Sequence, residues 1–381
     1  MRIYPVTQLD VSMPKTYNAP CIFLHGFFRN GLLYPMRKGR IAKCLVLCAL
    51  IIGLLIGTLA ACTGDGGYPH DYRRYREDFF DVFDTFSFII GYAQSQEEFD
   101  YFSREIIRAE LQRLHRLFDI FHEYEGINNL RTINNNAGIA PVMVDPTIID
   151  MLKLSVEAYR ISGGIVNVAI GPVTEIWREA KAEGIVPCME DLLAAGNYID
   201  INGLIIDDKM GTVFLQHEAM SLDIGAIAKG FSIEIAVQSA IAAGFESFLL
   251  SVGGDVRVAA SPPAGKWGIG ISNPDGEGLV DIVYAENAAV FASGDYLRYF
   301  IVDGRRYHHI IDPRSLMPAV NHRSAAVAYH DGGMTDVFSI AAFILDTDDA
   351  IEFVAGLGAE GMWVLPDGRV VSTDGWAGDG G

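Results

Sequence analysis

The order of apolar and polar residues predicts the first two regular elements of the chain. Over residues 81–92, the run DVFDTFSFIIGY is rich in aromatic and β-branched residues, which predicts a strand. Over residues 97–122, apolar residues recur at helical spacing, which predicts a long amphipathic helix with one buried face. The positions that define this face are Ile107, Leu111, Leu114 and Phe118.

Three later segments also have helical character. An Asp-Pro pair suited to a helix start opens a predicted helix over residues 146–161, and two more helices are predicted over 226–243 and 334–345. Short strands alternate with glycine turns in the later half of the chain. Because this order is not a regular series of strand, helix and strand, it predicts an α+β fold with a mixed or antiparallel sheet and flanking helices.

The N-terminal region has the three parts of an export signal. Met36 is followed by four basic residues, then by an apolar run over residues 44–61 that ends in Leu-Ala-Ala before Cys62. A basic region, an apolar core and small residues before the cleavage point are typical of a signal peptide. The cysteine after Leu-Ala-Ala resembles the lipobox of bacterial lipoproteins. We expect residues 36–61 to be a signal peptide and Cys62 to carry a lipid; an uncleaved single-span anchor is the alternative.

These boundaries divide the remainder of the chain. Residues 1–35 precede a natural start at Met36, and we expect them to be an extension without function. The polar, glycine-containing residues 62–78 predict a flexible tether, and residues 79–375 predict one catalytic domain. After cleavage only Cys62 and Cys188 remain, so a lipid on Cys62 would exclude an intramolecular disulfide.

The charge of the chain excludes one class of partner. The formal net charge is -19 at pH 7. Residues 1–61 contain seven basic residues and one acidic residue, so the chain from Cys62 onwards has a formal net charge of -25. Surfaces that bind nucleic acid need clustered lysine and arginine. We therefore expect no nucleic-acid partner.

Four segments contain residue types that suit a phosphate or metal site. In LDIGAIAKGFSIEIAV, glycines precede a helix whose N–H groups can face an anion, and Lys229 adds a positive charge; an ordinary glycine turn is the alternative. In SVGGDVRV, Asp255 suits either a tight turn or a ligand. Polar and aromatic residues are interleaved in SGDYLRYF and in YHHIIDPRSLMPA. In GGMTDVFSIAAF, Asp336 falls in the first turn of a predicted helix, as a cap, a helix-dipole partner or a metal ligand.

Eight stretches in sequence, from about residue 80 to residue 371, resemble the ApbE-type family of FAD:protein FMN transferases. They are FDTFSF, INNLRTINNNAG, GGIVNVAIGPVTEIW, LDIGAIAKGF, GGDV, SGDYLRYF, HHIIDPRSLMPA and TDVFSIAAF. The resemblance implies a T-shaped α+β fold with FAD in an elongated cleft and Mg²⁺ between protein and pyrophosphate. It also implies transfer of FMN from FAD to a Thr or Ser hydroxyl of an acceptor protein, with AMP as the leaving group.

The resemblance further implies the metal ligands. They would be the backbone carbonyl of Ala226, the carboxylate of Asp336 and the position of Ile340, where the family usually has threonine. An isoleucine has no side-chain oxygen, so Ser339, a carbonyl or a water would have to substitute.

Catalytic and FAD-binding residues follow from the same resemblance. Lys229 would lie beside the pyrophosphate, Asp336 would hold the metal, and His309 would face the nucleotide or the reacting phosphorus. Because an ordinary histidine has a pKa of about 6.5, His309 is the candidate to take the proton of the acceptor hydroxyl. The implied FAD-binding residues are Thr85, Asn134, Gly171, Asp223, Lys229, Asp255, Ser293, Gly294, Asp295, His309 and Ile310.

The implied partners are FAD and a membrane-bound electron-transfer protein that accepts the flavin. The lipid on Cys62 would hold the enzyme on the extracytoplasmic face of the bacterial cell membrane. Two alternatives stay open: hydrolysis of FAD to FMN and AMP, and FAD binding without turnover, which Ile340 favours.

Overall fold

The computed structural model describes residues 72–263, 265–376 and Gly378, and antiparallel sheets form its framework. In chain order the strands are β1 (Arg73–Phe79), β2 (Ser87–Ala93), β3 (Val142–Met143), β4 (Leu204–Asp207), β5 (Thr212–Leu215), β6 (Phe248–Val252), β7 (Asp255–Val258), β8 (Trp267–Ser272), β9 (Leu279–Ala285), β10 (Ala288–Gly294), β11 (Tyr299–Val302), β12 (Arg305–His308), β13 (Ile311–Asp312), β14 (Met317–Pro318), β15 (Ser324–Tyr329), β16 (Glu360–Val364) and β17 (Val370–Ser372). Eight of them form one sheet in the order β1-β2-β6-β7-β10-β15-β16-β17. The other strands form the sheet β3-β5-β4 and the pairs β8–β9, β11–β12 and β13–β14.

Helices lie before, between and after these strands. They are α1 (Gln96–Asp100), α2 (Ala109–Leu117), α3 (Leu130–Asn135), α4 (Pro146–Ile161), α5 (Gly171–Glu183), α6 (Met189–Gly196), α7 (Ala228–Ala242), α8 (Gly332–Ile344) and α9 (Thr347–Gly356). A π-helical segment, Tyr101–Arg108, joins α1 to α2, and short 3₁₀ turns occupy Val168–Ile170 and Ile201–Gly203.

Both faces of the central sheet are covered. Ile233 and Val237 of α7 pack with Val252 of β6 on one face. On the other face, Leu249 of β6 packs with Trp267 of the β8–β9 hairpin. Because β6 is buried on both sides, its sequence FLLSV is almost continuously apolar and does not alternate. The predicted α+β class with a mixed or antiparallel sheet is therefore confirmed.

The predicted helices are present with shifted ends. The predicted 146–161 helix is α4, where the Asp145 side chain accepts the Thr147 N–H. Helices α7 and α8 occupy most of residues 226–243 and 334–345. The predicted 97–122 helix ends at Leu117, because the Asp119 carboxylate accepts the N–H groups of Phe121 and His122 at 2.6 and 3.0 Å and turns the chain.

The start of the domain differs from the prediction in two ways. Phe83 and Asp84 have φ angles of 51° and 49°, which strands do not allow, so the second strand begins only at Ser87. The described part of the predicted 62–78 tether is not a tether, because Arg73–Phe79 pair in register with β2. Five of these seven residues are charged, which suits an edge strand and hides it in the sequence.

The predicted extension, signal peptide and lipidated Cys62 lie outside the described residues. Within the described part, no helix is long and apolar enough to cross a membrane.

Candidate active site

Lys229 and Asp255 form an ion pair between the first turn of α7 and the start of β7. The turn before Asp255 consists of Gly253 and Gly254, whose φ angles of 65° and 97° favour glycine. A Cβ atom on Gly253 would also lie 2.8 Å from the Thr85 hydroxyl oxygen. The tight turn expected here is thus present, and it directs Asp255 towards α7.

Helices α7 and α8 approach closely where Gly230 faces Asp336. The Gly230 N–H donates to the Asp336 carboxylate at 2.8 Å. A Cβ atom on Gly230 would lie 2.4 Å from the Gly332 carbonyl oxygen and 2.5 Å from the Asp336 Cβ. Only a glycine therefore allows this carboxylate to reach the backbone of α7.

Asp336 supplies a hydrogen-bond acceptor in the first turn of α7. Gly230 is the third residue of this helix, and an N–H at that position has no acceptor within the helix. It bonds to Asp336, and no donor in the described part of the chain bonds to the Ala226 carbonyl, two residues before the helix. A buried carboxylate thus reaches the first turn of α7, just after a carbonyl oxygen that has no donor.

Asp336 lies one turn inside α8, because this helix begins at Gly332 rather than at the predicted residue 334. Its carboxylate is not the cap, since Asp331 accepts the Met334 N–H at 2.8 Å. Among the alternatives, the capping interpretation of Asp336 is therefore wrong.

Burial shifts the protonation of the central charges. Burial and the nearby charge of Asp255 raise the pKa of Asp336 to about 7, against the opposing effects of Lys229 and the Gly230 N–H. Burial alone would lower the pKa of Lys229, but the carboxylates of Asp255 and Asp336 outweigh it and the pKa is raised. A buried carboxylate with a raised pKa favours a bound cation.

Ile340 has no side-chain oxygen to offer a metal. Its side chain packs partly buried against the apolar core. The neighbouring hydroxyl of Ser339 is buried, with the Ser293 hydroxyl at 3.0 Å and a bond to the Asp336 carbonyl at 3.0 Å. The metal assignment at the position of Ile340 stays a prediction, and the hydroxyl of Ser339 is occupied by these two hydrogen bonds.

The loop after β10, which contains Asp295 and Tyr296, lies near the ion pair of Lys229 and Asp255. Gly294 has no room for a Cβ, which would lie 2.3 Å from the Tyr296 ring. Burial, Asp255 and Asp295 together raise the pKa of Tyr296 to about 12. Asp295 accepts from Arg306 at 3.0 Å and from Arg323 at 2.9 Å, which fixes the loop to its neighbours.

Two consecutive histidines have different surroundings. His308 is buried, and its Nε2 lies 2.7 Å from the Ala319 carbonyl. His309 is exposed at the surface of the fold, while Ile310 is buried. The protein atoms around the His309 ring still desolvate it, and with the positive charges of Arg298 and Lys229 they lower its pKa, so the imidazole is neutral at pH 7.

The remaining predicted FAD residues lie around the strand-like segment before α7. The Asn134 side-chain oxygen accepts the Leu222 N–H at 2.8 Å and its nitrogen donates to the Leu222 carbonyl at 3.0 Å, so Asn134 positions this segment. Asp223 accepts from the Thr174 hydroxyl at 2.8 Å. Gly171 allows close contact with Ser221, whose carbonyl would lie 2.4 Å from an added Cβ.

Sequence reasoning missed a second ion pair beside the site. Glu234 of α7 and Arg257 of β7 are 2.9 Å apart, and Glu234 also accepts the Gly332 N–H at 2.7 Å. Arg257 is two residues after Asp255, so both side chains are on the same face of β7. Glu234 lies in a largely apolar helix and Arg257 in a buried strand, and these isolated charges could have indicated the ion pair.

The sequence of the chain is similar to that of a known family. The ApbE family model matches residues 85–363. The chain belongs to the ApbE family. Within this family it is 31% identical over 254 residues to the FAD:protein FMN transferase of Klebsiella pneumoniae strain 342, covering 64% of this chain and 75% of that one. It is also 31% identical over 265 residues to the protein of that name from Treponema pallidum, covering 65% and 73%.

Solved structures of ApbE proteins share the fold. An ApbE protein from Thermotoga maritima superposes with a TM-score of 0.72 at 27% identity, over 79% of this chain and 97% of that one. A flavin transferase ApbE from Vibrio cholerae gives a TM-score of 0.67 at 20% identity, over 79% and 98%. At that identity the second comparison supports the fold alone.

Proposed function

We propose that this ApbE-family protein is an Mg²⁺-dependent FAD:protein FMN transferase that attaches FMN to a Thr or Ser hydroxyl and releases AMP. Family membership and the names of the relatives support the transferase activity. The observation that supports the rest is the approach of the Asp336 carboxylate to the first turn of α7, which contains Lys229 and follows the Ala226 carbonyl, an oxygen without a donor in the described part of the chain.

The donor set fits a hard divalent cation. Mg²⁺ takes about six oxygen ligands and is commonly held by one or two carboxylates, waters and substrate phosphates. Asp336 and the Ala226 carbonyl would hold it, and FAD phosphate oxygens and water would complete the shell. No group of three or more His, Cys, Asp or Glu side chains in the described part of the chain could hold a metal, which fits a site completed by substrate. Bound Mg²⁺ would neutralise charge on the pyrophosphate.

The first turn of α7 suits the pyrophosphate. No side chain of the N-cap residue Ile227 caps this helix; the Ala228 and Gly230 N–H groups bond to the Ile224 carbonyl and to Asp336, which leaves the Lys229 N–H to face an anion. Lys229 adds a positive charge, and Asp255 keeps it protonated and oriented. These groups bind and orient the pyrophosphate and stabilise the negative charge that develops on its oxygens.

The transfer step needs a proton acceptor. The acceptor hydroxyl oxygen forms a bond to the FMN phosphorus, the bond from phosphorus to the bridging oxygen breaks, and AMP leaves with that electron pair. Neutral His309 takes the hydroxyl proton. Holding the acceptor hydroxyl and the FMN phosphorus in the reactive geometry is the main contribution of the protein to this kind of transfer.

The test combines the protein with FAD, Mg²⁺ and a purified flavin-acceptor domain, and detects covalent FMN on the acceptor by intact mass. We expect a mass increase that requires Mg²⁺ and disappears in Asp336→Asn. Asp331→Asn is the matched control, because asparagine preserves the cap of α8 and the metal ligands are unchanged.

Two other outcomes distinguish the alternatives. Release of FMN and AMP at the same rate with and without acceptor would make the protein an FAD pyrophosphatase. Tight FAD binding without either reaction would make it a flavin-binding protein, with Ile340 as the reason for the weak metal site.

The acceptor and the location belong to the same proposal. The acceptor is a membrane-bound electron-transfer protein, and a lipid on Cys62 holds the enzyme on the extracytoplasmic face of the membrane. Cys62→Ala should move the protein from the membrane fraction to the soluble fraction of cells. Retention of the variant in membranes would exclude lipid anchoring through this residue.

A further inference from the structure

The hairpin formed by β11 and β12 has one packed face and one exposed apolar face. Phe300 and Val302 pack with Tyr307 against the cluster around Trp177. The alternate residues Tyr299 and Ile301 face away, with exposed fractions of 37% and 61%. Leu297, two positions before Tyr299, is 63% exposed. Leu297, Tyr299 and Ile301, called here the apolar row, thus expose apolar side chains at every second position.

The backbone beside the apolar row is also open. Strands β11 and β12 pair with each other, and no third strand in the described part of the chain pairs with either. Proteins usually shield such an edge with charges, proline or a covering segment, because an exposed apolar edge promotes association. An open edge with alternate apolar side chains is the surface on which extended peptides bind as an added strand.

The hairpin begins and ends at the candidate active site. The loop before β11 contains Asp295 and Tyr296, and Tyr296 is close enough to Asp255 for that carboxylate to raise its pKa. At the other end, β12 leads directly to His309. Tyr299 is paired with His308, so the middle of the apolar row lies beside the residue that precedes His309.

The charge of the hairpin differs from that of the chain. Residues 298–306 contain three arginines and one aspartate, whereas the whole chain has a formal net charge of -19. The guanidinium of Arg306 lies 4.4 Å from the centre of the Tyr299 ring, on the face of the apolar row. Arg306 is also paired with Asp295, so Arg298 and Arg305 are the groups that attract a negatively charged segment here, whereas a second copy of this acidic chain is repelled over most of its surface.

We propose that the edge of β11 binds an extended segment of the acceptor protein as an added strand, with its apolar side chains on the apolar row. Acidic side chains of the segment would face Arg298 and Arg305. This binding mode would bring the acceptor hydroxyl to His309 and the FMN phosphorus. The inference rests on the proposed transferase function and adds to it how the acceptor is recognised.

The test measures acceptor and FAD dependence separately. The Leu297→Ser/Ile301→Ser variant of the full chain is assayed with a purified acceptor domain that has a single flavinylated threonine. Because two exposed apolar side chains lose their contacts with the acceptor, we expect KM for the acceptor to rise at least about tenfold. The Kd for FAD, from the quenching of flavin fluorescence, should stay unchanged.

Met210→Ser is the matched control, because Met210 is 65% exposed on the connection between β4 and β5. It should leave both constants unchanged. Leu297→Asp is a second variant that alters only the loop before β11. It should also raise KM for the acceptor, and a thermal melt checks that each variant is folded.

Three results would overturn the inference. An unchanged KM for the acceptor in both folded variants would exclude the apolar row as the docking surface. A weaker Kd for FAD with the same KM for the acceptor would assign the row to FAD. Absence of transfer by the unsubstituted protein, with FAD bound, would refute the proposed function itself, which the variants alone cannot do.

Discussion

Removal of the Glu234 carboxylate should be among the most destabilising single substitutions near the site. One oxygen of Glu234 accepts from Arg257 Nε at 2.9 Å and from the Gly332 N–H at 2.7 Å, and the other accepts from Gln238 at 2.7 Å. The side chains of Arg257 and Glu234 are only 5% and 15% exposed. In Glu234→Ala, the Arg257 charge and the Gly332 N–H would stay buried without this partner.

The expected loss is about 3–5 kcal/mol of unfolding free energy, because breaking a buried ion pair leaves an uncompensated charge. A neutral hydrogen bond would account for only about 1 kcal/mol. The loss is measured by urea unfolding followed by circular dichroism. Because the carboxylate also holds the start of α8, binding of Mn²⁺ as a spectroscopic substitute for Mg²⁺ should weaken.

Two comparisons make the measurement specific. Glu157→Ala removes an exposed carboxylate paired with Arg160 and should leave the urea midpoint unchanged. The double variant Glu234→Gln/Arg257→Met removes both charges and should regain much of the loss. A loss below about 1 kcal/mol for Glu234→Ala would mean that water compensates Arg257, and the reasoning from burial would be refuted.

Three further predictions follow from the contacts of the site and the core. Gly230→Ala places a Cβ 2.4 Å from the Gly332 carbonyl, so it should cost about 1–3 kcal/mol in urea unfolding and raise the Mg²⁺ concentration needed for transfer; Gly356→Ala, at an open helical position, should cost nothing. Burial lowers the pKa of His322, so below pH 6.5 the unfolded chain binds a proton that the folded chain does not, and the unfolding free energy falls by up to about 1.4 kcal/mol per pH unit. His322→Gln should flatten this decrease between pH 7.5 and 5.5, and an equal slope in both proteins would contradict the assignment. His309→Gln should slow transfer by about 10²–10⁴-fold at pH 7 with the FAD Kd unchanged, and a rate equal to that of the unsubstituted protein would exclude His309 as the base.

The parts of the fold that depend on local pattern could be predicted from the sequence. Helices α4, α7 and α8 were predicted because their apolar content and start signals are local. Strand β1 was missed because its charged residues indicate a tether, and only pairing with β2 makes it a strand. The end of α2 depends on the Asp119 side chain, which helical spacing does not reveal.

The candidate site was predictable in its residue types but not in its connections. Lys229, Asp255 and Asp336 were predicted as site residues in three separate segments, and the structure brings them together beside Gly230. The pairing of Glu234 with Arg257 was missed, because it joins residues 23 positions apart on different elements. Contacts of this kind depend on how helices cross, which no single stretch of sequence specifies.

The Gly230 N–H, which bonds to the Asp336 carboxylate, joins α7 to α8 at the proposed metal site. If α8 withdrew from α7, this N–H would lose its acceptor, and Asp336 would move away from Lys229 and from the Ala226 carbonyl at the same time. The exchange of one amide proton with solvent deuterium therefore reports the integrity of the whole site. A substitution anywhere in the protein that speeds exchange at Gly230 should weaken cation binding in proportion, even where the fold is intact.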